Sequence, residues 1–415
     1  MTDSSTDVAP DTVDDGPRHR RGRKKAPVER DPSARDLRRL AERDRRAKGR
    51  RRIAWALVGA VALVTISVVV SVWWLERPAP EAAVPDPVPV AGEGESVLVK
   101  VVDGDVVVGA ALAAAHPNGP DTMILFPAAL SAIVPGYGTW DLAFAAEVDD
   151  PDLLALTLTN LLGARVDGTI EVPAAALAAA LDGTELELPS PLLVEEGTDQ
   201  VVAAAAGSSA RPAATLQRIL TEQGTDDQLS WMVRQGAVWQ ALVEAWQTDD
   251  SVVFEVIEAS SGDVVVGRSV LESLAADEAG TVTAAQVESL DTFGTGAERY
   301  RLQVDDAAAL VDERMAWLDL VVGERIRIEI LNGTGEVGIT APIAAALVKD
   351  GYRIVRTDNA DTLDFSETRV VGHTLDNQQS ALAVQGLLGF GEVRIEQRQP
   401  SLVVDVTVIV GDDFS

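Results

Sequence analysis

The stretch Glu329-Ile330-Leu331-Asn332-Gly333-Thr334-Gly335 closes a strand read over 326–331 and hands the chain to a helix read over 341–349. Asn332-Gly333 and Gly335 suit that release, because a tight exit from a buried strand needs backbone angles that permissive residues adopt cheaply. Gly351 stops the helix, and strands follow at 352–356 and 368–372. A second helix at 380–388 ends on Gly389, and strands at 393–397 and 402–410 complete the block. This βαββαβ-like order over 324–415 predicts a small sandwich of one sheet and two helices.

Upstream, 96–322 mixes both element types. Strands at 97–101 and 106–111 flank Asp103-Gly104-Asp105, which is hairpin chemistry, and 123–126 is a third strand. Helical spacing marks 153–162, 174–181, 216–220 and 232–246. The stretch 251–322 reads as strand-rich, with strands at 252–257, 263–266 and 300–304; it either completes the first domain or forms an inserted lobe. The fold class is therefore α/β or α+β, a mixed sheet with helices followed by the small sandwich.

Residues 53–75 carry no charge, with Arg50-Arg51-Arg52 before them and Trp73-Trp74, Glu76 and Arg77 at the far end. At about 1.5 Å per residue the run spans roughly 35 Å, enough for a hydrocarbon core of about 30 Å, and predicts a single transmembrane helix. Its positive flank keeps the N-terminus cytoplasmic and places the C-terminal ectodomain outside the cell. Residues 1–52 hold 17 Lys and Arg against 10 Asp and Glu, so the rest of the chain carries −37 against −30 for the whole. The basic tail, expected to be disordered over 1–28, contains no aromatic residue for base stacking. It suits anionic membrane lipid better than nucleic acid. Residues 76–95 are proline-rich and read as an extracellular spacer. There is no cysteine, which excludes disulfides and thiol chemistry.

The last block resembles the C-terminal domain of the LytR/CpsA/Psr cell-envelope proteins. The likeness is carried by the opening stretch, Gly338, Ala341, Ala345, Leu347, Gly351-Tyr352, Asn359-Ala360, Thr368 and the closing Val406-Thr407-Val408-Ile409-Val410-Gly411-Asp412. The first block is similar to the catalytic domain of the same family at Pro120-Asp121-Thr122-Met123-Ile124-Leu125, Pro135-Gly136-Tyr137-Gly138, Leu161-Leu162-Gly163-Ala164-Arg165-Val166-Asp167 and Arg234-Gln235-Gly236-Ala237-Val238. The resemblance implies bacterial envelope proteins whose active members transfer glycopolymer from a polyprenyl-pyrophosphate carrier to peptidoglycan. In them arginines bind the pyrophosphate and acidic residues assist magnesium.

This chain departs from that pattern where the chemistry sits. Gly119-Pro120 replaces an arginine, Phe126-Pro127-Ala128-Ala129 replaces a Pro-Arg-Asp segment, and Trp231 stands where another arginine belongs. Between 96 and 248 only Arg165, Arg211, Arg218 and Arg234 remain. Each charge-assisted bond lost forfeits roughly 1.5–3 kcal/mol, so an anion site here is expected to be poor. If the block were catalytic, Asp121 and Arg234 with magnesium would be its remnant; otherwise Asp121 orders a turn and Arg234 is a helix-surface cation. The loop of Asn332, Gly333, Thr334, Gly335 and Gly338 is the candidate binding site, a phosphate cradle of backbone amides, against the plainer reading of a structural turn.

No metal site is read. His19, His116 and His373 form no close pair, His373 reads as a sheet-edge side chain, and the acidic clusters lack EF-hand spacing. The sequence thus predicts a non-catalytic envelope binding or scaffolding protein, with wall polymer or a wall-assembly enzyme as partner and no cofactor. The competing expectation is a divergent phosphotransferase using magnesium.

Overall fold

The hairpin expected around Asp103-Gly104-Asp105 is the spine of a six-stranded sheet. In the computed structural model Glu95–Asp103 and Val106–Ala115 pair antiparallel. Gly168–Pro173 lies parallel to the first and Thr122–Phe126 antiparallel to the second, with Ser261–Gly262 and Thr281–Ala284 at the two edges. The structure describes residues 88–89, 94–249, 251–290, 298–396 and 403–414. The tail 1–52, the expected span 53–75 and most of the spacer fall outside these; among the described residues no helix is long and apolar enough to cross a membrane. The spacer's Val88–Pro89 pairs antiparallel with Val321–Val322.

The central strands are apolar on both faces because both are covered. Val97, Val99, Val101, Met123 and Leu125 enter one core. The alternate residues Leu98, Leu112, Ile124 and Phe126 enter another, as a period of two requires. The first core is closed by Ala213–Thr221, the long helix Gln228–Thr248 and Val264–Ala276; the second by Leu153–Leu162 and Val304–Arg314.

Two strands expected in 251–322 are helices, Ser251–Glu258 and Val264–Ala276. The valines at 252, 253, 256 and at 264–266 favour strand by propensity, yet burial of Gly267, Val270, Leu271, Leu274 and Ala275 repeats at i, i+3, i+4, i+7 and i+8. Of 300–304 only Tyr300–Arg301 pairs, and Val304 opens a helix. This stretch supplies strands to sheets founded by the first block: Ser261–Gly262 to Gly168–Pro173, Thr281–Ala284 to Thr122–Phe126, and Tyr300–Arg301 to Leu130–Val134.

The C-terminal sandwich has the expected order. Its five strands lie as Arg353–Asn359, Arg327–Asn332, Val406–Val410, Arg369–Gly372 and Glu392–Ile395. Helices Ala341–Lys349 and Gln378–Leu388 pack on one face through Ile343, Leu347, Ala381 and Val384 against Ile328, Ile330, Val406 and Val408. The strand expected from 402 begins at Val406.

The two blocks are joined through the helix Leu153–Leu162. Its Leu156 enters the C-terminal core. Its Asn160 is buried; Nδ2 donates to Ile354 O at 2.9 Å and Oδ1 accepts from Ile354 N at 2.8 Å, so one amide acts as a strand partner across the junction. Thr340 Oγ1 donates to Gly136 O at 3.0 Å. Gly136 holds φ +87, and a Cβ there would lie 2.5 Å from Ala341 Cα, which only glycine avoids.

Candidate functional site

Arg234 lies in the long helix, which Asp227 caps by accepting from Ser230 N at 2.7 Å. That backbone bond, with a further one from the Ser230 side chain, holds the Asp227 carboxyl below its usual range. The expectation of a surface cation at Arg234 is overturned: the residue is 0% exposed. Nη1 meets Asp226 Oδ2 at 2.6 Å, and Nη2 donates to Gln223 O at 2.7 Å. Neighbouring Gln235 donates to Val108 O and Leu220 O. The Arg-Gln pair ties loops to the core rather than presenting donors to a ligand.

Asp121 is 2% exposed and orders the turn before its strand. Oδ1 accepts from His116 N at 2.6 Å, while Asp121 N donates to Asp277 Oδ2 at 2.7 Å. Its Oδ2 is buried without a partner among the described residues. The structure does not bring Asp121 and Arg234 together. Gln247, near the far end of the long helix, donates to Asp277 O at 3.4 Å. At about 1.5 Å rise per residue, that places Gln247 about 20 Å along the axis from Arg234.

The other arginines of the first block also end on protein acceptors. Arg165 pairs with Asp167 and reaches Gly94 O, Arg211 donates to Ala205 O and Gly207 O, and Arg218 grips Glu222 with two bonds. A cavity of about 780 Å³ runs beside the long helix, lined by apolar Leu125, Met232 and Ala241 and by the carboxylates Glu185, Glu187 and Glu244; no arginine lines it. Among the described residues no three His, Asp or Glu side chains converge to hold a metal ion.

The loop after the first C-terminal strand is a turn closed on itself. Asn332 Oδ1 accepts from Thr334 N at 3.0 Å and Gly335 N at 2.9 Å, and Glu336 N donates to Thr334 Oγ1. The amides of Gly333, Thr334, Gly335 and Glu336 are thus engaged within the protein. Gly335 and Gly338 hold φ +82 and +84, and a Cβ on Gly333 would lie 2.6 Å from Val410 O. Asn332→Ala is expected to cost about 1–2 kcal/mol by freeing two amides beside a half-buried turn, read as a lower urea midpoint at unchanged slope.

Sequence reasoning missed a polar row crossing four strands of the C-terminal sheet. Arg356 Nη1 meets Glu329 Oε1 at 3.1 Å, Thr407 Oγ1 donates to Glu329 Oε2 at 2.8 Å, and His373 Nε2 lies 2.8 Å from Thr407 Oγ1. Glu329 and Thr407 alternate with the core residues, so the row lies on the face away from the helices. His373 is 5% exposed, beside a strand with neighbours on both sides, which corrects the sheet-edge expectation. Only the strand order assembles this row.

On the same face Arg327 grips Asp405, with Nε to Oδ2 at 3.0 Å and Nη2 to Oδ1 at 2.8 Å. Burial would raise the Asp405 carboxyl, but the Arg327 bonds outweigh it and hold the pKa below the usual range. A depressed folded pKa contributes stability above the unfolded value of about 3.9 and loses it as pH falls through the folded value. The stability gap between the native chain and Asp405→Asn is therefore expected to be level near neutrality and to close below about pH 4, followed by denaturant midpoints across pH.

Residues 325–414 match the family model for the LytR cell envelope-related transcriptional attenuator. This part of the chain is similar to that family, the one its turn and closing strand resembled. Comparison with curated proteins returns no match. Among solved structures the chain is similar to B. subtilis TagV (11% identity, TM-score 0.45, 55% of this chain and 99% of that one). It is also similar to a LytR-Csp2A-Psr enzyme from Actinomyces oris (17%, 0.42, 56% and 94%). A third is B. subtilis TagT (17%, 0.43, 57% and 98%). At such identities and scores the likeness says nothing of chemistry.

Proposed function

We propose that the chain is a membrane-anchored cell-envelope protein, a non-catalytic binding or scaffolding relative of the LytR/CpsA/Psr proteins that acts in glycopolymer assembly at the wall. The observation that carries this reading is the engagement of every arginine of the first block between 96 and 248 by a protein acceptor, with Arg234 sealed in the core. Pyrophosphate binding needs free guanidinium forks converging on one point. The large cavity beside the long helix instead meets a ligand with three glutamates, and these repel a polyanion.

The uncharged run 53–75 serves as the anchor in this reading, with the tail in the cytoplasm and the folded unit outside. The LytR C-terminal domain contributes the wall-facing surface. Co-sedimentation of the purified full chain with bacterial wall sacculi, with and without their glycopolymer, tests it. The chain is expected to pellet with at least one, and loss on stripping would assign the polymer. A chain that stays in solution with both would overturn the role.

A further inference from the structure

A cavity of about 540 Å³ lies where the C-terminal sandwich meets the helix Val304–Arg314, lined by the cations Arg325, Arg327 and Arg353 and by the carboxylates Asp305, Asp312, Asp319 and Glu324. Arg327 and Arg353 are register partners on adjacent parallel strands, so two guanidinium groups leave one face side by side. Like charges so placed destabilise a sheet unless something neutralises them.

Two of the three cations are answered within the protein. Arg327 holds Asp405. Arg325 donates to Gly351 O at 3.0 Å, Asn160 O at 2.9 Å and Tyr352 O at 2.8 Å. Arg353 is half-buried, yet its guanidinium has no hydrogen-bond acceptor and no ion-pair partner among the described residues. Burial, and then the Arg327 charge, lower its pKa. A guanidinium carries five donors, and removing water from them without replacement is costly.

We propose that this cleft binds a small ligand through a single carboxylate or phosphate group, received by the planar fork of Arg353 beside Arg327. The volume suits a small molecule. The carboxylates of the lining set the rest of the ligand: the carboxyl groups of Asp312 and Asp319 accept no hydrogen bond from a described residue, and burial followed by the charge of Asp312 raises the Asp319 pKa against the opposing pull of Arg325. Such carboxylates repel polyanions and favour a ligand that is neutral or cationic away from its one anionic group. The site is lined from both blocks, its cations are not the arginines of 96–248, and it stands whether or not the wall-binding reading holds.

The test titrates the purified full chain with inorganic phosphate and, separately, acetate, by calorimetry. Saturable binding of at least one, with Kd of about 1 mM or tighter, is expected; the arm that binds identifies the oxyanion. Arg353→Gln should weaken it at least about tenfold, and Arg353→Lys, which keeps charge without the fork, by less. Asp319→Asn removes an opposing charge and should tighten binding about threefold. No saturable binding of either anion would overturn the site, as would equal affinity in a folded Arg353→Gln. If Arg353→Gln fails to fold, an Asp319→Asn affinity equal to the native value would do so.

Discussion

Arg234→Ala is expected to destabilise the folded unit by about 3–5 kcal/mol, the cost of removing one partner from a buried charge pair. The guanidinium is fully buried, bonded to Asp226 and to the carbonyl of Gln223, and Nη1 lies 3.4 Å from Pro191 O. Its loss leaves two carbonyls and a carboxylate with a missing donor, plus a void at the foot of the long helix. Lysine does not rescue this, because one ammonium cannot reach acceptors set for both arms of a fork. Equilibrium denaturation checks the result. A surface cation serving a ligand would shift stability by no more than about 0.5 kcal/mol.

Asn160→Ala carries the second large effect, about 2–5 kcal/mol. It strips Ile354 N and O of their partners inside the junction, and each buried group left unanswered costs about 1–3 kcal/mol. Arg325 anchors the same place through Asn160 O, and burial lowers its guanidinium pKa to about 10. Hydrogen exchange at the Ile354 amide should accelerate along with the fall in the denaturant midpoint. An unchanged Ile354 amide would mean that the two blocks do not dock through this residue.

The C-terminal sandwich was legible in sequence because its turns are punctuated. Asn332-Gly333, Gly351 and Gly389 mark where strands and helices stop, and short alternations between them leave few choices. Residues 251–276 were not legible as helix. Clustered valines speak for strand, and only packing against the first core selects the helical spacing of Val270, Leu271 and Leu274. Asp121 was readable as a turn residue from its place before a strand. Arg234 was not readable as buried, because its partners at 191, 223 and 226 come from loops whose return to the helix no local pattern encodes. The row from Arg356 to His373, and the pairing of Arg327 with Arg353, exist only once strand order and register are known.

The central claim is that the first block performs no phosphoryl transfer, and phosphate release from a short prenyl pyrophosphate by the purified full chain with magnesium tests it most directly. The account predicts release no faster than in buffer alone, from a chain whose circular dichroism shows it folded. Magnesium-dependent turnover that vanishes in a folded Asp121→Asn variant would contradict it and make the buried Asp121 carboxylate part of a working site.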